Sequence, residues 1–261
     1  MISGKTKVVV HLSHPSDHLR TPGLFNPRAR ELGHDIVLVP WDVAPADLDQ
    51  AWEGLRRIKN LAGVVVTIPH KEAVARLCDD LDPEARAMGV CNVARRTPDG
   101  RFHGAMFDGV GFVAGLRAEG HHITDKSVLL VGAGGAATAI AHAIAGQRPA
   151  CLRISNRTQA KAKALVSAIR QRFVGLDVEV SAPDAAKMDL VVNGTSIGMH
   201  DGDPLPVDAT ALGAGTVVAE VIMQPDETEL LRQARKQGAQ THRGIHMITH
   251  QIDMLINHLI E

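Results

Sequence analysis

The chain of 261 residues contains no tyrosine and only three cysteines, and Phe, Trp and Tyr together account for 3% of it. Without tyrosine, any mechanism that needs a tyrosine hydroxyl as its acid is excluded. The three cysteines, Cys78, Cys91 and Cys151, are odd in number, and none belongs to a Cys-x-x-Cys motif. We therefore expect them to be reduced thiols in a cytoplasmic protein.

The sequence also has no excess of one charge and no long apolar run. Its 28 Lys and Arg residues nearly balance its 29 Asp and Glu residues, for a net charge of -1. This balance gives no electrostatic basis for binding nucleic acid or an anionic membrane. The apolar runs are far shorter than the roughly 20 residues that span a bilayer, and residues 1–5 show no signal-peptide pattern. We expect neither nucleic acid nor a membrane among the partners.

What the sequence does contain is an alternation of predicted strands and helices, which indicates an α/β fold with mostly parallel sheets. The length suits one large or two modest domains. We predict an N-terminal α/β domain formed by residues 1–106 and 242–261, and a Rossmann-type domain formed by residues 107–241. A helix predicted over residues 245–260 packs back on the first domain.

The most informative motif follows a predicted strand at residues 127–131. It reads Gly132-Ala133-Gly134-Gly135-Ala136 and opens an Ala-rich helix. Small residues at such a turn let the backbone approach a pyrophosphate, which binds the unpaired N–H groups of the helix N-terminus. A glycine turn that merely connects an ordinary βαβ unit is the alternative.

The end of the next predicted strand indicates which dinucleotide would bind. Where an acidic residue would take a ribose 2′-hydroxyl, the chain has Asn156, Arg157 and Thr158. A guanidinium group and small polar side chains suit a 2′-phosphate, so we predict NADP(H) rather than NAD(H). Residues 193–199, at a further strand end, would fit against the nicotinamide ribose, with a plain tight turn as the alternative.

Two ionisable residues stand where catalytic groups are expected. Lys71 follows a predicted strand and Pro69, and α/β proteins bind ligands at the carboxyl ends of strands. A lysine there can act as a general acid or base, although a solvated helix lysine is the alternative. Asp108 stands at a predicted helix start, where its carboxylate could orient Lys71, cap the helix or do both.

Asn92 and three histidines are further candidates for ligand binding. Asn92 is a lone amide in an apolar segment, and since a buried amide needs partners, it either forms a turn or binds substrate. His242, His246 and His250 recur every four residues and would share one helix face, a spacing that can bind zinc. No thiolate or zinc-protease glutamate accompanies them, so we predict no metal.

Several of these motifs resemble those of the shikimate dehydrogenase family. The segment from Val66 to Lys71 is similar to the family's Val-Thr-x-Pro-x-Lys motif. Residues 132–136 and 156–158 resemble its Gly-Ala-Gly-Gly-Ala turn and its Asn-Arg-Thr motif, and residues 244–251 resemble its Gly-x-x-Met-Leu-x-x-Gln run. The resemblance extends over essentially the whole chain.

The resemblance implies an N-terminal substrate-binding domain and a Rossmann domain that binds NADP. It also implies that Lys71 and Asp108 are the catalytic pair. The expected substrate ligands are Thr21, Thr67, Asn92 and Gln251. The residues expected to bind the cofactor are Gly132, Ala133, Gly134, Gly135, Ala136, Asn156, Arg157, Thr158, Thr195, Met199 and Gly244.

Three apolar residues depart from the family pattern near the expected substrate. Leu19 replaces the first serine of a His-Ser-x-Ser-Pro motif whose two hydroxyls hold the substrate carboxylate, whereas Thr21 keeps the second hydroxyl. Losing one donor to a charged acceptor would weaken binding roughly ten- to a hundredfold. Val65 replaces an asparagine, and Met223 replaces a tyrosine. The candidates for a replacement cation are Arg20, His11, His14 and His18.

The resemblance implies an NADP-dependent oxidoreductase that reversibly reduces 3-dehydroshikimate to shikimate in aromatic amino-acid biosynthesis. We expect it to be a cytoplasmic monomer or homodimer that acts on a small cyclic hydroxy acid. Because of the three apolar replacements, a related enzyme that oxidises quinate or another cyclic polyol is the alternative. An NADP-binding protein without substantial turnover is a third alternative, against which the presence of Lys71 and Asp108 argues.

Overall fold

The structure is a computed structural model and describes residues 2–261. Its strands are, in chain order, β1 (Lys7–Ser13), β2 (Ile36–Asp42), β3 (Leu61–Val66), β4 (Asp80–Leu81), β5 (Val93–Arg96), β6 (Phe102–Ala105), β7 (Ser127–Val131), β8 (Cys151–Ser155), β9 (Val178–Val180), β10 (Leu190–Asn193), β11 (Val217–Glu220) and β12 (Gln240–His242). Its helices are α1 (Thr21–Glu31), α2 (Leu48–Arg57), α3 (Lys71–Leu77), α4 (Pro83–Met88), α5 (Asp108–Ala118), α6 (Gly135–Gly146), α7 (Gln159–Arg172), α8 (Glu229–Lys236), α9 (Ile245–Thr249) and α10 (Ile252–Ile260).

The chain forms two compact units, each with its own sheet. The first comprises the residues up to Phe107 together with Gln251–Glu261, and the second comprises Asp108–His250. The sequence predicts that the chain returns to the first unit at residue 242, nine residues before the structure shows it. Residues 242–250 stay with the second unit because β12 pairs with β11 and α9 packs on α5.

The first unit contains a mixed six-stranded sheet in the order β2-β1-β3-β5-β6-β4. The strand β1 lies parallel to both β2 and β3, whereas β5 runs antiparallel to β3 and β6. All six residues of β3 are buried, which is the pattern of a central strand covered on both faces. A Cβ on Gly63 would lie 2.3 Å from the Ala94 oxygen and 2.5 Å from Leu259 Cδ2, so this glycine lets β5 and α10 pack closely on β3.

The second unit contains a fully parallel six-stranded sheet in the order β12-β11-β10-β7-β8-β9. Counted from β7, this is the 3-2-1-4-5-6 order of a dinucleotide-binding Rossmann sheet. Small residues let the helices approach one another, since a Cβ on Gly109 would lie 2.3 Å from the Ala139 oxygen where α5 crosses α6. The predicted α/β class, with an N-terminal α/β domain and a Rossmann domain, is confirmed.

Several elements differ from their sequence predictions. The single helix predicted over residues 245–260 is two helices, α9 and α10, separated at His250 and Gln251. The helix α7, which extends for 14 residues between β8 and β9, was not predicted. The cap of α8 is Thr228, whose hydroxyl accepts the Leu231 N–H.

The helices of residues 2–261 are all too short or too polar to cross a bilayer.

Candidate active site and cofactor site

The glycine turn of the second unit lies where three parallel strands end. The Gly132 N–H donates to the Ser155 oxygen at the end of β8 over 2.7 Å, and the Gly194 N–H donates to the Val131 oxygen over 2.7 Å. Gly132 has a φ of +123°, and a Cβ there would lie 2.8 Å from the Gly194 oxygen. Only glycine therefore suits this turn, which lies between β7 and β10, where the strand order of the sheet reverses.

The N-terminus of α6 presents open backbone donors. Gly134 is extended, gives the helix no side-chain cap, and a Cβ on it would meet no atom within 4 Å. The 12-residue helix that begins at Gly135 therefore starts with uncapped N–H groups beside open space, with the small Ala133 and Ala136 on either side. This cradle fits a pyrophosphate group.

The segment after β8 presents a guanidinium group to solvent. The Asn156 side chain donates to the Thr158 oxygen over 2.9 Å and so closes a turn, while Arg157 and Thr158 are exposed. The predicted 2′-phosphate ligands thus stand together just after the strand next to the glycine turn. Their role as cofactor ligands remains a prediction.

The loop after β10 is held by a buried glutamate, Glu220, which was not predicted as a site residue. The Asn193 side chain donates to both oxygens of Glu220, at 3.0 and 3.1 Å, and Thr228 donates to the same carboxylate over 2.8 Å. The Thr195 hydroxyl donates to Asn193 Oδ1 over 2.7 Å. These hydrogen bonds fold the loop into a turn, which the sequence predicts as the alternative to contact with the nicotinamide ribose. Thr195 takes part in this turn. Half-buried Met199 follows in the same loop.

Glu220 is fully buried, and burial raises the pKa of its carboxyl to about 7 even though Asn193 and Thr228 donate to it. Asn193 and Glu220 end adjacent strands and are register partners, a pairing that the sequence alone does not contain. Gly244, another expected cofactor residue, precedes α9. A Cβ there would lie 2.3 Å from the Ile222 oxygen, so its glycine permits close backbone packing.

In the first unit, Lys71 is the first residue of α3 and is only 7% exposed. The turn that leads to it is fixed by two hydrogen bonds: the His70 N–H donates to the Thr67 oxygen over 2.9 Å, and His70 Nε2 lies 2.7 Å from the Val43 oxygen. Burial at the start of a helix contradicts the alternative of a solvated helix lysine. Thr67, at the end of β3, is half-buried beside this turn.

Asn92 joins distant parts of the first unit. Its Nδ2 donates to Gln251 Oε1 over 2.7 Å, and its Oδ1 accepts the Phe107 N–H over 2.9 Å. Both polar atoms of the Asn92 amide thus have partners, and Gln251 lies at the break between α9 and α10. The Cys91 N–H donates to the Lys71 oxygen over 3.2 Å, so Asn92 is one residue away from a backbone contact of Lys71.

Two other predicted residues are placed at helix starts. Thr21 begins α1 and is buried. Asp108 begins α5, is 3% exposed, and directly follows Phe107, whose N–H binds Asn92. The catalytic and substrate-binding roles of these residues remain predictions.

The candidate cations all lie in the first unit, and of the apolar replacements only Met223 lies in the second. Leu19 and Met223 are half-buried, and Val65 is buried. His14 Nδ1 lies 2.8 Å from Asp42 Oδ1, and Arg20 is exposed. Burial lowers the pKa of both His11 and His18, so neither ring is a ready cation at neutral pH.

The predicted histidine series does not lie on one helix. His242 ends β12, His246 lies in α9, and His250 follows α9. The His242 ring stacks on that of His246 with centroids 4.7 Å apart, and neither of its nitrogens has a hydrogen-bond partner among residues 2–261. Burial, followed by the nearby histidines, lowers its pKa to about 3. The described part of the chain contains no group of three or more His, Cys, Asp or Glu residues able to hold a metal ion.

Comparisons with known proteins agree with this geometry. Residues 12–94 match the family model described as shikimate dehydrogenase substrate binding domain, and residues 116–199 match the model described as shikimate / quinate 5-dehydrogenase. A shikimate dehydrogenase (NADP(+)) from Rubrobacter xylanophilus is 37% identical over 258 residues, which cover 96% of this chain and 89% of that protein.

Solved structures show the same similarity. A crystal structure of a shikimate dehydrogenase in complex with NADP+ superimposes with a TM-score of 0.87 and 31% identity, covering 100% of this chain and 96% of that one. A 5-ketofructose reductase of Gluconobacter sp. strain CHM43 superimposes with a TM-score of 0.82 and 28% identity, covering 98% of this chain and 93% of that one. The predicted resemblance is confirmed, and the chain belongs to the shikimate dehydrogenase family.

Proposed function

We propose that this protein is an NADP-dependent shikimate dehydrogenase, which reversibly reduces 3-dehydroshikimate to shikimate in aromatic amino-acid biosynthesis. The observation that carries the proposal is the buried hydrogen bond between Asn92 and Gln251, which are 159 positions apart in sequence. It sets the orientation of two amides in the unit that contains buried Lys71. The names of the curated relatives support the same activity.

NADP(H) is the proposed cofactor, and the second unit holds it. The glycine turn at Gly132 and the uncapped start of α6 receive the pyrophosphate, and exposed Arg157 receives the 2′-phosphate. When bound, NADP(H) supplies the hydride for reduction or accepts it in oxidation. The protein contributes position and charge.

Lys71 is the proposed general acid and base. In reduction its ammonium group donates a proton to the substrate carbonyl oxygen, and in oxidation the neutral amine takes a proton from the hydroxyl. The family resemblance assigns Asp108 as its catalytic partner. Substrate hydroxyls are bound by the remaining expected ligands, which hold the reacting carbon in one position. These ligands are Thr21, Thr67, Asn92 and Gln251.

The proposed function is tested by the initial rate of NADP+ reduction with shikimate and with quinate, each repeated with NAD+. Fast turnover of shikimate with NADP+ is expected. Negligible rates with both acids, while NADPH still binds, would contradict the biosynthetic function and favour a different substrate.

The assigned role of Lys71 is tested by Lys71→Ala, with exposed Lys59→Ala in the same unit as the control. We expect Lys71→Ala to lose at least a hundredfold in kcat, because general acid–base catalysis contributes about 10²–10⁴-fold. NADPH binding should be unchanged, since the cofactor residues lie in the other unit. Wild-type turnover by Lys71→Ala would rule out this mechanism.

A second candidate is oxidation of quinate or another cyclic polyol. It is favoured by the apolar side chains at Leu19, Val65 and Met223 and by the structural similarity to a 5-ketofructose reductase. A panel of neutral polyols, assayed beside the two acids, discriminates between the candidates. A kcat/KM for a neutral polyol above that for shikimate would favour this second function.

We also propose that the protein works in the cytoplasm as a monomer or homodimer, without nucleic acid or membrane partners. The near balance of charges and the three free thiols support this proposal. Light scattering coupled to size-exclusion chromatography measures the oligomeric state, and a mass beyond that of a dimer would contradict it.

A further inference from the structure

A histidine occupies an interior position of β1, the strand that lies between β2 and β3 in the sheet. His11 is 2% exposed and lies between Pro40 of β2 and Val65 of β3 in the sheet register. Its Nδ1 is buried and has no hydrogen-bond partner among residues 2–261. Its neighbours in the strand, Val9, Val10 and Leu12, are apolar core residues. Packing alone therefore does not explain an imidazole here.

The face of the sheet that carries His11 also carries Thr67, one of the proposed substrate ligands. Because alternate residues of a strand share a face, His11 is on the same face as Ser13, and its register partner Val65 is on the same face as Thr67. The Ser13 hydroxyl is already used, since it donates to the oxygens of Pro15 and Ile68, at 2.9 and 3.2 Å.

Burial and the charge of the proposed catalytic lysine act together on the His11 ring. Burial, followed by the charge of Lys71 and by a smaller contribution from the His18 ring, lowers the pKa of His11 to about 3. The ring is therefore neutral at working pH and can both donate and accept a hydrogen bond. This excludes His11 as the replacement cation considered above and leaves it suited to a hydroxyl group.

We propose that His11 is a specificity-determining residue of the substrate site, where its ring nitrogen forms a hydrogen bond with a ring hydroxyl of the substrate. The inference rests on the proposed function and deepens it. It supplies a polar group on the same face as Val65, whose side chain cannot form a hydrogen bond. The ligand class is a cyclic polyhydroxy compound.

Two variants test the proposal, His11→Leu and His11→Gln. Leucine is similar to histidine in size and has no polar atom, whereas the glutamine amide can still form a hydrogen bond. At saturating NADP+, we expect His11→Leu to raise the KM for shikimate about tenfold and His11→Gln to recover part of this loss. The KM for NADP+ should stay unchanged.

Deoxy analogues of shikimate, each lacking one ring hydroxyl, separate this role from a merely structural one. The wild type should prefer shikimate over the analogue that lacks the contacted hydroxyl, and in His11→Leu this one preference should fall about tenfold. A structural role would lower the rates with all analogues alike. Unchanged preferences in folded His11→Leu would overturn the proposal; if leucine prevents folding, unchanged preferences in His11→Val, which also lacks a polar side-chain atom, would do so.

The wild-type assay distinguishes a failure of the proposed function from a failure of the role proposed for His11. If the wild type turns over shikimate and the variants keep its preferences, only the role of His11 fails. If it turns over a neutral polyol instead, the same ratios are measured with deoxy analogues of that polyol. If it turns over neither acids nor polyols, the proposed function fails, and the role of His11 fails with it.

Discussion

Glu220 and His242 are both buried in the second unit, and burial holds each in its neutral form over part of the pH range. The consequences for folding have opposite signs. A carboxyl with a raised pKa retains a proton in the folded protein that the unfolded chain releases. An imidazole with a lowered pKa resists a proton that the unfolded chain takes up. Each residue can therefore be tested by the pH dependence of stability.

For Glu220→Gln, we expect the variant to gain stability relative to the wild type as the pH rises from 4.5 to 7. The folded pKa is about 7 against an ordinary 4.5, so the wild type loses about 3 kcal/mol across this window. Urea unfolding at pH 4.5 and pH 8 measures the difference. Far-UV circular dichroism should be compared with tryptophan fluorescence, since Trp41 and Trp52 both lie in the first unit. An equal effect at both pH values would contradict the raised pKa.

For His242→Leu, the pH dependence should run the other way. The folded pKa is about 3 against an ordinary 6.5, so the wild type loses stability as the pH falls from 6.5 towards 3. The variant should gain about 2 kcal/mol on the wild type between pH 7 and pH 5. Exposed His122→Gln, in the same unit, serves as the control and should follow the wild type. A His242→Leu curve parallel to that of the wild type would refute the argument.

At the scale of elements, the glycine turn before α6 combines two different demands on glycine. Gly132 needs both its positive φ and its lack of a side chain, whereas Gly134 has an ordinary backbone and open space around it. Gly132→Ala should therefore lower the melting temperature and weaken NADPH binding at least tenfold. Gly134→Ala should keep the melting temperature and weaken only NADPH binding. Thermal unfolding and NADPH titration measure both, and unchanged NADPH binding in Gly134→Ala would place the pyrophosphate elsewhere.

The elements also show which parts of the structure can be predicted from local sequence. The glycine turn, with its strand and helix, was predictable because adjacent residues determine it. The break before α10 was not, since Ile248 and Ile252 continue a helical spacing across it and no Gly or Pro marks it. The break coincides with the hydrogen bond from Asn92 to Gln251, a partner that local sequence does not contain. The helix α7 was predictable in principle, because its buried residues Leu165, Val166 and Ile169 recur at helical spacing.

At the scale of the whole molecule, the second unit is continuous in sequence whereas the first is assembled from two segments. A variant that ends at His250 should keep NADPH binding, because the whole second unit is present. It should lose the native tryptophan fluorescence, since α10 packs on β3 and β5 and Gln251 binds Asn92. Fluorescence and NADPH titration of this variant check both statements, and a native fluorescence spectrum would show that residues 251–261 are dispensable for the first unit.

The discontinuity of the first unit has a consequence for biosynthesis. Residues 251–261 leave the ribosome after the entire second unit. The sheet of the first unit therefore lacks α10 during the time in which the second unit can already fold. During that interval, β3 and β5 lack the helix that covers them, and the ion pair between Arg28 and Asp253 cannot form. The nascent chain is then most exposed to chaperones and proteases, and this exposure ends only when residues 251–261 emerge.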